Sequence, residues 1–536
     1  MPNRSSDIIS CMIDNAYGGW TPLRNALRKL DLNDTLGVIR AYSAFRTVRQ
    51  AAPFPKDMEV HRAVYSDERL ILPWEMEVLA REAIIVCGPE PSMKHTARKW
   101  DTFANLVDKL KEVNDYISQY LVKDEKILQE LTVRINHLQT KYQTERPSKA
   151  GLVRYSRIFG HPTVEPIVKA KTGLSSKQLF TIGAGLWGAY ANQYLGMNYP
   201  LNELTIPGIT SADYDKFMQL YSLPMEAMKQ RLSAERRLDD TFMYQFHTLQ
   251  SYPLIFTELD KRPAHICPIP ILLFWRITSG LFYDLIKEPG FDQAFGTSFQ
   301  EYIGDMLEKT FDGTSTTIYP EETDKRPNRK RADWIIDQPT SFMLVECKTK
   351  RMTIDAKTTI LDNTPLHAQL EVIAKAVVQS YQALEAYKNG KYKSQQYPYN
   401  PAKHPFICVV TLENWRLMGP EIEKLREIVR DKLSQAGLTP NLMEQAPFIT
   451  CAVNEMEEFA YLLRTNDLAD VVRSYWDDPE KSTWQFISYL YNRYKEELNA
   501  YEYVFSDEFT NIFTITLASQ NDADTQSPAW AVHKGH

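Results

Sequence analysis

The chain has 536 residues, too many for one hydrophobic core, so at least two domains are expected. Apolar residues at 43% and charged residues at 24% exclude wholesale disorder, and a net charge of −6 excludes a globally basic surface, so any contact with nucleic acid has to come from a local patch. Six cysteines without a CxxC pair (Cys11, Cys87, Cys267, Cys347, Cys408 and Cys451) argue against a zinc knuckle or a disulfide framework and for reduced thiols.

The N-terminal stretch MPNRSSDIISCMID has no apolar core of a signal peptide, which makes a cytoplasmic location the default expectation. Residues 1–285 read as a mainly helical region with Pro- and Gly-containing breaks, and a subdivision is suggested near 146–166. Between Trp100 and Tyr142 the residues Phe103, Leu106, Leu110, Val113, Ile117, Tyr120, Ile127, Leu131 and Leu138 recur on three- and four-residue steps, a heptad seam interrupted by Asp124 and Arg134. Such a seam serves either a long helix inside a helical domain or self-association. A homo-oligomer through this half is expected, with a regulatory partner protein as its other possible role.

The 19 uncharged residues from Leu179 to Met197 approach the length of a membrane span, but four glycines, Thr181, Asn192 and Gln193 favour a buried helix and no membrane contact. Gly183-Ala-Gly185-Leu-Trp-Gly188 is formally a GxGxxG. However, Ser175 and Gln178 have the spacing of a capping box, which starts the helix before the glycines and makes them packing positions rather than a dinucleotide loop.

After residue 285 the pattern changes. A helix over Phe299–Phe311 precedes strand-like runs at Ser315–Tyr319, Ala332–Ile336 and Phe342–Val345, followed by a helix over Leu366–Tyr387 and a run at Phe406–Thr411. A helix over Pro420–Leu433 and a run at Phe448–Val453 complete the set, so residues 286–518 are expected to form an α/β domain ordered αβββαβ and continued by αβ. The polar segment 519–536 lacks periodicity and reads as a tail.

The chemistry concentrates in the second and third of these strands. Asp333 opens the run DWIID and Glu346 closes SFMLVE, with a Pro-containing turn between them, so an antiparallel hairpin brings both carboxylates to one end of a sheet. Lys348, two residues beyond Glu346, falls on the same face by period-two alternation, while the Cys347 side chain points away and its carbonyl is left as an oxygen ligand. Two acids and a lysine in that arrangement suit a phosphodiester hydrolysis that needs a carboxylate-held divalent cation. KRPNRKR places Lys325, Arg326, Arg329, Lys330 and Arg331 just before Asp333, and Lys350 and Arg351 follow Lys348, bracketing the acids with phosphate-binding charge.

Asp333, Glu346 and Lys348, in that order of elements, resemble the PD-(D/E)XK nuclease superfamily over about Phe299–Val453. The resemblance implies an αβββαβ core and a Mg²⁺- or Mn²⁺-dependent DNA endonuclease with Asp333, Glu346 and the Cys347 carbonyl on the metal and Lys348 at the attacking water. It also implies a further acid at Glu301 in FQEYIGDMLEKTF and a glutamine at Gln379 in AKAVVQSYQALEAY, near Gln382, and it suggests a bacterial antiphage or restriction setting. Ala332 departs from the proline of the family name, and Cys347 from its usual apolar or small residue. RNA as substrate, and a catalytically silent binding or scaffold protein on the same fold, remain alternatives to DNA cleavage.

Overall fold

The computed structural model describes residues 18–48, 54–88, 95–121, 139, 141–142, 144–192, 196–198, 204–239, 241–259, 261–322, 331–353, 356–357, 364–392, 396–512 and 516–517. The protein is α+β and divides into two compact units, the first within Met1–Phe291 and joined again by the chain from Asp507, the second Asp292–Ser506; the tail 519–536 lies outside the described residues. The boundary lies close to residue 285, but the chain returns to the first unit at Asp507 rather than continuing the second to 518. The reason is local: the helix Glu508–Ile512 is tied to Lys149–Phe159 by an Arg157–Glu508 ion pair of 2.7 Å and by Lys149 over the Phe509 ring.

In the first unit, helices α1 (Leu32–Thr47), α2 (Pro73–Val86), α3 (Trp100–Leu121), α4 (Lys149–Phe159) and α5 (Ser176–Asn192) carry the sequence's start signals. Asp31 accepts the Asp34 N–H before α1, and Pro73 opens α2 while Glu75 accepts the Leu72 N–H. Ser175 and Gln178 cap α5 reciprocally, with Ser175 N–H to Gln178 Oε1 at 2.9 Å and Gln178 N–H to Ser175 Oγ at 3.1 Å. The glycines are therefore helical: a Cβ on Gly183 would stand 2.6 Å from Cγ2 of Ile277, so its absence permits close packing. Among the described residues no helix is long and apolar enough to cross a membrane.

The seam on α3 faces inward. Phe103, Leu106, Leu110, Val113 and Ile117 are all buried within the chain, and Phe103 stacks on Tyr42 of α1 with centroids 4.5 Å apart. Its uninterrupted centre is thus core, and the expected self-association has no surface there; Ile127, Leu131 and Leu138, with Asp124 and Arg134, lie outside the described residues.

The first unit also contains a mixed sheet absent from the helical reading, made of β1 (Gly196–Asn198), β2 (Ser222–Pro224), β3 (Leu254–Leu259) and β4 (Arg262–Ile266) in the order β1-β4-β3-β2. These strands are short and punctuated by prolines. The β3–β4 turn uses Lys261 at φ 62°, a conformation that non-glycine residues seldom adopt and that no turn signal announces. Helix α6 (Pro270–Ile277) follows, its Ile277 being the neighbour of Gly183.

The second unit opens on α7 (Phe291–Phe311), then β5 (Thr317–Pro320), β6 (Trp334–Asp337), β7 (Ser341–Lys348), α8 (Thr364–Lys388), β8 (His404–Thr411), α9 (Pro420–Gln435) and β9 (Phe448–Ala452). Each sequence-predicted element of this region is present, displaced at its ends by no more than three residues except for α7, which begins eight residues before the expected Phe299. Strand order is β9-β8-β7-β6-β5, antiparallel across β5/β6 and β6/β7 and parallel across β7/β8 and β8/β9. The crossover α8 and α9 cover one face, burying Ile335, Leu344, Ile407 and Val409 against Leu370, Val377 and Leu384. On the other face α7 meets Trp334, where a Cβ on Gly304 would come within 2.0 Å of the indole. Helix α10 (Val453–Leu462) packs on that face too, with Met456 against Cys451.

Candidate active site

Register decides which side chains meet. Trp334 pairs with Val345, and the Asp333 N–H extends the ladder to the Val345 carbonyl at 3.1 Å. Beyond that point β6 leaves β7, and the side chain of Asp333 takes over: its Oδ2 accepts the Cys347 N–H at 2.6 Å. Asp333 has the parity of Ile335, and Glu346 and Lys348 that of Leu344, so all three lie on the face covered by α8.

Glu346 is 1% exposed, in effect sealed. Its Oε1 accepts from the Lys348 ammonium and from Gln379 Nε2, the latter at 2.8 Å, while Oε2 is buried without a hydrogen-bond partner among the described residues. Such an atom costs stability unless something else satisfies it. Burial, then the neighbouring Asp333 charge, pushes the Glu346 carboxyl well up; burial likewise raises Asp333, against the Cys347 N–H and Lys348, which pull it down. Burial alone would lower Lys348, but Glu346 and Asp333 outweigh it and hold the ammonium above its ordinary range. The Cys347 thiol is pushed up by burial and by both acids, which keeps it a thiol rather than a nucleophilic thiolate.

The backbone of Cys347 faces the same spot. Alternate residues of β7 turn their polar groups to opposite neighbours: the Lys348 carbonyl accepts from Leu412 on the β8 side, whereas the Cys347 N–H meets Asp333 on the β6 side. The Cys347 carbonyl therefore also points to the Asp333 side.

A third acid joins the pair that sequence reading did not single out. Glu321 follows β5, whose Pro320 pairs with Trp334, so Glu321 stands beside Asp333, and its charge raises both Asp333 and Glu346. It accepts from Gln300 Nε2 at 3.2 Å and lies 3.6 Å from Arg331. Glu301, expected as the further acid, is exposed on α7; its neighbour Gln300 is the residue turned to Glu321. The only forewarning of Glu321 was an acidic pair, Glu321-Glu322, directly after a strand-like run.

The basic flanks divide. Lys350 is exposed, but Arg351 is buried at 6% exposure, so Arg351 offers no charge to a polymer, contrary to its expected place among the phosphate-binding residues. Arg331 is half-buried beside Glu321, and Lys325, Arg326, Arg329 and Lys330 lie outside the described residues.

No protein-family profile, curated protein or solved structure matches this chain.

Whether a divalent cation suits these residues can be judged from the donors themselves. Among the described residues no three His, Cys, Asp or Glu side chains stand close enough to form a ready cage. Two carboxylates, one of them Glu346 with an orphaned oxygen, and a carbonyl are nevertheless the hard oxygen donors that Mg²⁺ and Mn²⁺ take, and a cation there would offset the charge that burial and mutual repulsion now disfavour.

Proposed function

We propose that the second unit is a metal-dependent nuclease of the PD-(D/E)XK type, with the restriction-endonuclease-like core that the order αβββαβ suggests, and that it hydrolyses phosphodiester bonds in DNA. The observation that carries this reading is the meeting of Asp333, Glu346 and Lys348 on one face at the parting of two strands, with a buried Glu346 oxygen left unsatisfied. Asp333, Glu346 and the Cys347 carbonyl would hold Mg²⁺ or Mn²⁺, which when bound supplies Lewis-acid neutralisation of the phosphate and a more acidic water.

The chain's own residues do the rest. Lys348 presents an ammonium beside the acids, where it orients water and offsets the charge that grows on the phosphate oxygens. Gln379 fixes the rotamer of Glu346 from α8, and the Cys347 N–H fixes that of Asp333, so both acids are set before substrate arrives. Glu321 adds negative charge that favours cation uptake at the pair.

The test is incubation of the full chain with duplex DNA and with RNA, each in Mg²⁺, Mn²⁺ and EDTA. Cleavage of DNA in either metal and none in EDTA is the expected result. Cleavage of RNA alone reassigns the substrate, and no cleavage of either polymer by a folded chain removes the reading.

A further inference from the structure

The first unit holds a cavity of about 550 Å³ that the nuclease reading does not use. Its wall brings together Arg24, Arg28, Lys229 and Arg236 around the indole of Trp20, with half-buried Ile85 and Val86 as an apolar side. Four cations in one concavity repel each other, and among the described residues a single acid, Glu82, stands within ion-pair reach, of Arg236 alone. The acid at hand, Glu82, is fully buried and already accepts from Arg81 Nε at 2.9 Å and from Trp20 Nε1 at 2.8 Å. Arg236 reaches it only at 3.5 Å, and its Nη1, like Nε of Arg24, is buried with no hydrogen-bond partner among the described residues.

The indole explains how the charges are held. The guanidinium of Arg236 lies 4.3 Å from the Trp20 ring centroid and that of Arg24 lies 5.2 Å away, so the aromatic group supports two cations without quenching either. Guanidinium groups with unfilled donors, fixed on an aromatic and facing a concavity, are the arrangement that binds phosphoryl oxygens. Four positive charges exceed what one phosphate balances, and the volume lies within the range of small-molecule sites.

We propose that this cavity is a binding site for a mononucleotide-sized organic phosphate carrying at least two phosphoryl groups, its phosphates on Arg24, Arg28, Lys229 and Arg236 and its organic body against Ile85 and Val86. The site belongs to the first unit and does not depend on the activity assigned to the second.

The test is calorimetric titration and thermal melting of the full chain with ATP, AMP and pyrophosphate in EDTA, which silences any contribution from divalent cations at the acids. Arg28→Ala/Lys229→Ala is the diagnostic variant, because both side chains lie at least partly exposed and their removal leaves the core intact. ATP is expected to bind and raise the melting temperature, AMP to bind at least about tenfold more weakly, and the double variant to lose about tenfold or more per cation removed. Pyrophosphate binding as tightly as ATP would remove the apolar body from the proposal. Absence of binding by ATP and pyrophosphate at millimolar concentration, or ATP binding unchanged in the double variant, would overturn it. So would a double variant that loses affinity for a single-stranded oligonucleotide while ATP binds neither form.

Discussion

Glu77 and Glu82 of the first unit and Glu346 of the second are all buried, yet the fold treats them in opposite ways. In the first unit Glu77 accepts from Tyr142 and Gln250 and stands 3.1 Å from His247 Nε2, and Glu82 is matched by Arg81. Burial would raise Glu77, but His247 and Gln250 more than reverse it, and its carboxyl sits below the ordinary range. In the second unit Glu346 is as deeply buried, keeps an oxygen without a partner, and sits above that range. Glu77 and Glu82 are satisfied by the fold and belong to the architecture; Glu346 is left in want beside a second raised acid and an ammonium, which is the combination that suits a bound cation.

The largest effect that sharpens this contrast is on cleavage. Asp333→Asn, Glu346→Gln and Lys348→Ala should each reduce metal-dependent hydrolysis about a thousandfold or more, since several kcal/mol of charge stabilisation go with the cation. The metal-free melting temperature of Glu346→Gln should hold or rise, because the change removes a buried repulsion. Glu82→Ala in the first unit should instead cost about 3–5 kcal/mol in denaturant melts, because it strands Arg81 in the core. Equal destabilisation by Glu82→Ala and Glu346→Gln would erase the distinction.

Acidity should separate the units next. Burial holds His265 down to about 4 from an ordinary 6.5, so below 6.5 the unfolded chain binds a proton that the fold refuses. His265 therefore contributes a loss of stability to the first unit as pH falls from 6.5 towards 4, while Glu75, raised by burial to about 7, contributes the opposite slope between 4.5 and 7. Asp333 and Glu346 are raised, so here the folded state holds protons that the unfolded chain has released, and the metal-free second unit loses stability as pH rises above the ordinary carboxylate range. Melting across pH of the native chain against His265→Gln and against Glu346→Gln reads the two contributions apart; pH-dependent differences of the same sign for the two variants would contradict the pKa directions. The smallest effect concerns the basic run: alanine at Arg329, Lys330 and Arg331 should flatten the salt dependence of DNA binding by about 0.9 in log–log slope for each phosphate no longer neutralised, measured by titration at several salt concentrations.

The second unit was legible in sequence because its strands are apolar runs bounded by turns and its helices keep a clear period; SFMLVE and FICVVT could hardly be anything but buried strands. Asp333, Glu346 and Lys348 followed from hairpin parity alone. Glu321 did not, because its place depends on which residue of β6 pairs with Pro320, a register that a four-residue strand does not specify. Arg351 was misread because charge in a run does not reveal which member turns inward. The sheet of the first unit stayed hidden behind short strands and a hairpin turned by Lys261, and the heptad seam had two physical outcomes, of which its central residues take the intramolecular one.

Whether Asp333 and Glu346 hold a cation is tested most directly by titrating the full chain with Mn²⁺ in parallel with Glu346→Gln and following free Mn²⁺ by electron paramagnetic resonance. A saturable site in the native chain, lost in Glu346→Gln while that variant melts no lower, is the predicted result. Mn²⁺ uptake that is the same in both chains, or absent from the native one, would contradict the account.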